Sequence, residues 1–209
     1  MAELYDAILT GNMPAAVEVS KAALEAGDDV QALVQEQMIP AMDEVGARFE
    51  RNEYYVPQLI VAARAMKESL AVLTPALLES GAESAGRVVF GTVKGDNHDI
   101  GKNLVASLLE GAGFEVIDLG INVATEKFVE AVTGKEGTIL AMSALLTTTM
   151  CEMQKVIEAL TEAGVREQVK VIIGGAPVTQ QFADQIGADG YSDNASAAVT
   201  LARGLVTSA

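Results

Sequence analysis

A histidine lies between two aspartates in the stretch KGDNHDIGKN, residues 94–103, and it is the only histidine in the 209-residue chain. Asp96 precedes His98 by two positions. A neutral imidazole can bind a metal ion through one ring nitrogen while its other N–H donates to a carboxylate, which fixes the tautomer. The spacing therefore predicts a metal-binding histidine whose second nitrogen is held by Asp96. The alternative is a loop histidine with one surface hydrogen bond.

The rest of the chain excludes several other kinds of site around His98. With one histidine and one cysteine, Cys151, the chain can form neither a zinc cluster nor an internal disulfide bond. We therefore expect a metal at His98 to arrive already coordinated, inside a macrocycle, and Cys151 to be structural. The glycines of GTVKGDNHDIGKN match neither GxGxxG nor GxxxxGK(S/T), which disfavours dinucleotide and triphosphate sites.

The balance of charge limits the class of partner. The chain has 14 Lys and Arg against 29 Asp and Glu, a formal net charge of −15, which repels the phosphate backbone of nucleic acids. Its apolar stretches are too short and too interrupted to span a bilayer, and the N-terminal MAELYDAILT lacks the features of a signal peptide. We therefore predict a cytoplasmic protein with no nucleic-acid partner and no membrane partner.

The first 80 residues show apolar positions at helical spacing and almost no strand pattern. Asn12 and Asp29 are typical N-caps, Gly27 is a typical helix end, and Pro57 suits the first turn of a helix. We predict four helices, over residues 2–10, 12–27, 29–50 and 57–78. Joined by short links, they form a four-helix bundle that makes up a domain of residues 1–80.

The pattern changes after residues 81–86, whose small and polar composition predicts a linker. In residues 87–209, five short apolar runs alternate with five helices; the runs are VVFGTV, FEVIDLG, TILAMSA, VKVIIGG and DGYSD. This alternation predicts an α/β domain with a Rossmann-like, flavodoxin-like doubly wound sheet of five parallel strands. Such sheets bind ligands at the carboxyl ends of their strands, where KGDNHDIGKN falls.

Three separated motifs follow the first, third and fourth of these runs. They are Asp96-x-His98-x-x-Gly101, Ser143-x-Leu145 and Gly174-Gly175, with 28 residues between Leu145 and Gly174. Together they resemble the three-part signature of cobalamin-binding domains. The stretch RFERNEYYVPQLIVAARAMKESL, residues 48–70, resembles the helical cap that precedes this domain in methionine synthase and in the corrinoid proteins of methyltransferase systems. The two resemblances cover nearly the whole chain.

The resemblance implies a role for each residue of the His98 loop. His98 would be the lower axial ligand of cobalt, Asp96 would accept a hydrogen bond from its other nitrogen, and Thr149 would close this relay. Other residues of this loop are also expected to contact the corrinoid: Asn97, Asp99, Ile100 and Gly101.

The resemblance also implies contacts with the displaced nucleotide tail and with the upper face. Ser143 and Leu145 would line the slot for the tail, and the absence of side chains at Gly174 and Gly175 would let the backbone approach it. Neighbouring loops would contribute Thr147, Ala176 and Tyr191. The cap residues that would cover the methyl group are Phe49 and Val56, with Leu59 close by. The alternative for these three is ordinary bundle core.

The function implied by the resemblance is that of a methyl carrier, a component of a methyltransferase system in anaerobic one-carbon metabolism rather than a complete enzyme. Cobalt(I) would accept a methyl group from a substrate-specific methyltransferase and pass it to a second one that serves tetrahydrofolate or coenzyme M, with a reductive activation protein as a further partner. Two alternatives remain open: the cobalamin subunit of an adenosylcobalamin mutase and a cobalamin-dependent regulator. The strong negative charge disfavours the regulator, because such proteins carry a DNA-binding domain.

Overall fold

The computed structural model describes residues 2–79, 85–135 and 138–206. It divides into two compact units, Met1–Ser84 with Ser107–Gly113 and Ala85–Ala106 with Phe114–Ala209. Most of the predicted linker, residues 81–84, lies outside the described residues, so the proposed division at 81–86 stays a prediction. Within the described ranges, no helix is both long and apolar enough to cross a membrane.

The first unit is helical, and its helix ends follow from local sequence. Its helices are α1 (Ala2–Leu9), α2 (Met13–Ala26), α3 (Val30–Leu33), α4 (Ile39–Glu50) and α5 (Val56–Glu79). The side chain of Asn12 accepts the amide N–H of Ala15, and that of Asp29 accepts two amides at the start of α3. Gly27 ends α2 with a φ of +74°. The predicted starts of the second and third helices are confirmed, because capping depends on a few neighbouring residues.

The third predicted helix differs from the expectation of an unbroken α-helix over 29–50. A π-helical turn, Val34–Met38, lies between α3 and α4, although the chain stays helical throughout. Pro40 explains the wider turn: it has no amide hydrogen, and in an α-helix its ring would crowd the carbonyl of Glu36, four residues earlier. With this turn included, α3 and α4 act as one long helix, and the unit is a bundle of four.

The second unit is a five-stranded parallel sheet. Its strands are β1 (Arg87–Thr92), β2 (Glu115–Asp118), β3 (Thr138–Ser143), β4 (Val169–Gly174) and β5 (Gly190–Ser192), in the order β2-β1-β3-β4-β5. The helices that alternate with them are α6 (Ile100–Gly111), α7 (Thr125–Val132), α8 (Met150–Glu162), α9 (Gln180–Ile186) and α10 (Ala195–Val206). A short 3-10 turn, Arg166–Gln168, precedes β4. The predicted doubly wound α/β fold is confirmed.

The strand order fixes where a ligand site can form. The chain moves outwards from β1 to β2 and then crosses back to β3 on the other side, so β1 and β3 flank the point where the order reverses. Ligands of doubly wound sheets bind at the carboxyl ends of the strands beside such a point. Thr92 pairs there with Ser143, and Ser143 pairs with Gly174. The ends of three adjacent strands therefore carry the three sequence motifs.

Candidate functional site

Asp96 is the centre of the site at the ends of β1 and β3. Its side chain is fully buried, and both carboxylate oxygens are hydrogen-bonded. Oδ1 accepts a hydrogen bond from the main-chain N–H of His98 at 3.1 Å. It also lies 2.7 Å from the ring nitrogen Nδ1 of His98. Oδ2 accepts the amides of Leu145 and Leu146 at 2.8 and 3.2 Å and the hydroxyl of Thr149 at 2.7 Å. One carboxylate thus joins the loop after β1 to the loop after β3.

These hydrogen bonds determine the charge of Asp96. Burial alone would raise the pKa of this carboxyl, since it disfavours the charged form. The donors from Leu145, His98 and Thr149 act in the opposite direction and prevail, so that the pKa of Asp96 lies well below its usual range. The group is therefore a carboxylate at neutral pH and can only accept hydrogen bonds.

The ring of His98 is oriented by that carboxylate. Because the Oδ1 atom of Asp96 has no hydrogen to donate, the Nδ1 atom of His98, 2.7 Å away, must carry the proton. In the neutral ring the lone pair then lies on Nε2. The side chain of His98 is 50% exposed, and Nε2 has no hydrogen-bond partner among the described residues. The arrangement presents a ligand nitrogen on an oriented ring.

Large hydrophobic side chains are exposed at the carboxyl ends of the strands. They are Ile100, the first residue of α6, Ile121 in the loop after β2, and Leu145 and Leu146 in the loop after β3. Ile100 is 79% exposed, two positions after the histidine. Within the described parts of the chain, no group of three or more His, Cys, Asp or Glu side chains could hold a bare metal ion. A single nitrogen ligand on a side of the sheet that also exposes apolar side chains suits a flat, largely apolar group that brings its own metal ligands.

The glycine pair after β4 lies against the other two loops. Gly174 pairs with Ser143 on one side and Ser192 on the other. Gly175 has a φ of +128°, and a Cβ there would overlap the carbonyl oxygen of Ala144. Only glycine fits this position without moving the backbone that follows Ser143.

The remaining residues expected at this site have different environments. Asn97, Asp99 and Gly101 are exposed in the His98 loop, and Asp99 accepts a 3.3 Å hydrogen bond from Asn103. Thr147 and Ala176 are exposed in the loops after β3 and β4. Tyr191 is partly buried and packs against the core of the sheet domain.

Two residues that the sequence motifs do not contain also hold the His98 loop. Thr92, fully buried at the end of β1, donates its hydroxyl to the carbonyl of His98 at 3.0 Å. Asn122, in the loop after β2, accepts the amide of Gly95 at 2.7 Å and donates its own amide to the carbonyl of Asp96 at 2.9 Å. Asn122 has a φ of +51°, unusual for a residue other than glycine. Only its place in the loop LGINV, between a strand and a helix, could have drawn attention to it.

The three residues expected to cover the methyl group lie in the helical unit and differ in their burial. Leu59 is fully buried in the bundle, Phe49 is half-buried, and Val56 is 41% exposed. Exposed hydrophobic residues beside Val56 are Tyr55, Ile60 and Val61. The turn between α4 and α5 is held by an Arg51–Glu53 ion pair of 2.8 Å. Val56 thus begins an exposed apolar stretch, whereas Leu59 packs as bundle core.

Thr149→Val is expected to lower the free energy of unfolding at pH 7 by about 1–2 kcal/mol, because it removes a donor to a buried carboxylate. The depressed pKa of Asp96 contributes stability that is fully present above the unfolded pKa of about 4 and is lost as the pH falls below it. Without the Thr149 hydroxyl the pKa is less depressed, so the loss of stability on acidification ends at a higher pH and is smaller in total. Urea unfolding at pH 7, and at a series of pH values below 3, measures both effects. The exposed neighbour Thr148, replaced by valine, is the control, and equal stabilities of the two variants would contradict the assignment.

Comparisons with known proteins match both the helical part and the α/β part of the chain. Models of the B12 binding domain match residues 86–200 and residues 1–74. The chain is 46% identical over 186 residues to trimethylamine corrinoid protein 2 of Methanosarcina mazei, covering 88% of this chain and 85% of that protein. A solved cobalamin-binding protein from Desulfitobacterium hafniense superposes with a TM-score of 0.82 at 33% identity, over 97% of this chain and 96% of that one. The crystal structure of a methanol:cobalamin methyltransferase complex from Methanosarcina barkeri contains a chain that matches with a TM-score of 0.85 at 32% identity, over 99% and 79%.

Proposed function

The chain belongs to the B12-binding corrinoid proteins, and from this membership we propose that it carries a methyl group on a bound corrinoid between two methyltransferases. The observation that carries the proposal is the His98 ring, oriented by Asp96 at 2.7 Å and half exposed in a loop next to the exposed Ile100. The corrinoid would supply a cobalt centre that accepts and releases the methyl group.

The residues present fit a corrinoid rather than a bare ion. A macrocycle provides the equatorial ligands that the described residues lack, so one protein nitrogen is sufficient. The exposed side chains of Ile100, Leu145 and Leu146 would contact the apolar parts of the ring. Ser143, Gly174 and Gly175 line the adjacent strand ends and would accommodate the nucleotide tail.

The hydrogen bonds of Asp96 determine what His98 can do in this role. Thr149 and the amide of Leu145 keep Asp96 ionised, so the proton shared with His98 stays on Nδ1. The negative carboxylate raises the electron density of the ring, and Nε2 becomes a stronger ligand. If His98 were released from a bound corrinoid, its Nε2 could take up a proton, and Asp96 would stabilise the resulting cation.

The partners we propose follow from the relatives of the chain. A separate methyltransferase would load the methyl group. The relatives named above include a trimethylamine corrinoid protein and a methanol:cobalamin methyltransferase complex, which supports small methylated compounds as the source of the methyl group. We propose a second methyltransferase as acceptor, a reductive activation protein, and residues Phe49 and Val56 as a cover for the methyl group. We place this activity in the cytoplasm.

Reconstitution tests the proposal directly. The purified protein, incubated with hydroxocobalamin without oxygen and then desalted, is expected to retain a single corrinoid per chain. The absorption spectrum should show the nucleotide base displaced from cobalt, and spin resonance of the cobalt(II) form should show splitting by one imidazole nitrogen. The bound corrinoid, once reduced, should then accept a methyl group from a substrate methyltransferase. A protein that retains no corrinoid after desalting would overturn the proposal.

A further inference from the structure

Thr92 makes two side-chain hydrogen bonds that connect the motifs of the site. Its Oγ1 atom lies 3.0 Å from the carbonyl oxygen of His98 and 2.9 Å from Oγ of Ser143. Thr92 is fully buried, and its own amide and carbonyl are bonded to Gly120 and Val123. The side chain therefore sits on a fixed backbone and has no contact with water.

Counting hydrogens gives this link a direction. The carbonyl of His98 can only accept, so the single hydroxyl hydrogen of Thr92 must point to it. Ser143 must then be the donor in the 2.9 Å contact between the two hydroxyls. The result is a chain from Ser143 through Thr92 to the main chain of His98. Each bond in such a chain polarises and strengthens the next.

We propose that Thr92 is a positioning residue for His98, which fixes the main chain of the histidine and transmits the hydrogen-bonding state of Ser143 to it. This inference rests on the proposed function in taking His98 as the cobalt ligand. Asp96 holds the ring of His98 through Nδ1, whereas Thr92 holds its carbonyl, and the two contacts together set the direction of Nε2 before any ligand binds. A ligand that engages the Ser143 hydroxyl draws its hydrogen away from Thr92 and weakens the Thr92–His98 bond. Ligand binding to Ser143, at the end of β3, would thereby change the hydrogen bonding of the His98 main chain.

The first test needs no corrinoid, because the chain has a single histidine and its ring gives a single set of signals in magnetic resonance. Thr92→Val keeps the shape of the side chain and removes the hydroxyl, so the His98 ring and amide signals are expected to shift and broaden. Thr92→Ser should restore them. Thr138→Val is the matched control: Thr138 is equally buried at the opposite end of the sheet, and its hydroxyl has no partner among the described residues.

The direction of the chain is tested by a second substitution. Ser143→Ala is expected to move the same His98 signals by a smaller amount in the wild-type background and by almost nothing in the Thr92→Val background. Equal shifts in both backgrounds would show that Ser143 acts on His98 by another route and would overturn the inference. So would unchanged His98 signals in Thr92→Val, provided that the variant unfolds cooperatively like Thr138→Val.

The loaded protein supplies an independent readout. Thr92→Val is expected to weaken corrinoid binding about fivefold and to alter the imidazole splitting of the cobalt(II) form, and Thr92→Ser to reverse both. The same loss is expected with a corrinoid that lacks the nucleotide tail, since Thr92 acts through His98. A loss confined to the complete corrinoid would assign Thr92 to the tail slot instead and contradict the inference. If the wild-type protein bound no corrinoid, the proposed function would fail, while the ligand-free test of Thr92 would stand.

Discussion

Asp96→Asn is expected to destabilise the protein by about 3 kcal/mol and to move the proton of the His98 ring from Nδ1 to Nε2. The carboxylate is buried and accepts four hydrogen bonds besides its contact with the ring. In an asparagine at this position, the NH2 group replaces one of the accepting oxygens and therefore points at groups that are donors themselves. The change in shape is small. Its effect therefore comes from hydrogen bonding and charge.

The orientation of the amide follows from the number of donors on each side. Oδ2 receives three donors, from Leu145, Leu146 and Thr149, and the amide oxygen is best placed there. The NH2 group then faces His98, where it meets the main-chain N–H and Nδ1. It can donate to Nδ1 only if that nitrogen is unprotonated, so the proton moves to Nε2. In that tautomer the lone pair lies on Nδ1 and accepts from the amide, so Nε2 has none to offer to a metal.

Nitrogen-15 shifts of the single histidine report the tautomer in the ligand-free protein, and urea unfolding reports the stability. Asp99→Asn is the control, because Asp99 is exposed on the other side of His98 and accepts only a 3.3 Å hydrogen bond from Asn103. This variant should keep the Nδ1–H tautomer and the wild-type stability. An Asp96→Asn protein that retained the Nδ1–H tautomer would show that another group fixes the ring.

The sequence was sufficient for features that depend on nearby residues. The helix starts at Asn12 and Asp29 were predicted because each cap bonds amides only two or three positions away. The parallel sheet could be expected from the alternation of strands and helices. The sequence did not predict the π-helical turn, Val34–Met38, that precedes Pro40. A proline can end a helix, bend it or widen one of its turns, and the sequence alone does not distinguish these outcomes.

The sequence predicted the hydrogen bond between Asp96 and His98, and the resemblance placed Thr149 beside them, but the other hydrogen bonds of the site were not predictable. Asp96 contacts Leu145 and Leu146 through main-chain amides, 49 and 50 residues away, and any side chain at those positions would supply the same donors. The Thr92–Ser143 contact joins residues 51 positions apart and depends on the register of β1 against β3. Asn122 acts from a loop after a third strand. Such contacts depend on how the strands are ordered and paired in the sheet, and a local sequence motif carries no information about that pairing.

The site therefore combines two kinds of support for one side chain. Asp96 and Thr149 set the protonation and the orientation of the His98 ring, whereas Thr92 and Asn122 hold the main chain on either side of it. Four loops or strand ends converge on a residue that is itself half exposed. Burying so many polar groups costs free energy unless each of them has a hydrogen-bond partner. The hydrogen bonds that Thr149, Thr92 and Asn122 make to this loop do not involve the imidazole, so the stability of the loop does not depend on it. The imidazole can be removed while its support remains.

His98→Ala is accordingly expected to fold like the wild-type protein and to lose the ligand nitrogen completely. Asp96 keeps its bonds to Thr149 and to the amides after β3 in this variant, so the change in the free energy of unfolding should stay within about 1 kcal/mol. The affinity for a corrinoid should fall about a hundredfold or more, because even changes in the groups that support a metal ligand cost 10–100-fold, roughly.

Spin resonance of the cobalt(II) form is the decisive measurement for this variant. The imidazole splitting should disappear, and added free imidazole should restore it, since removal of the side chain leaves room beside the carboxylate of Asp96. Asn97→Ala, a change at the exposed neighbouring position, leaves the imidazole of His98 in place and should therefore keep the splitting. Because the chain contains no other histidine, an imidazole splitting that persisted in His98→Ala without added imidazole would have to come from the nucleotide tail of the corrinoid. That result would mean that the tail stays on cobalt and that His98 is not its ligand.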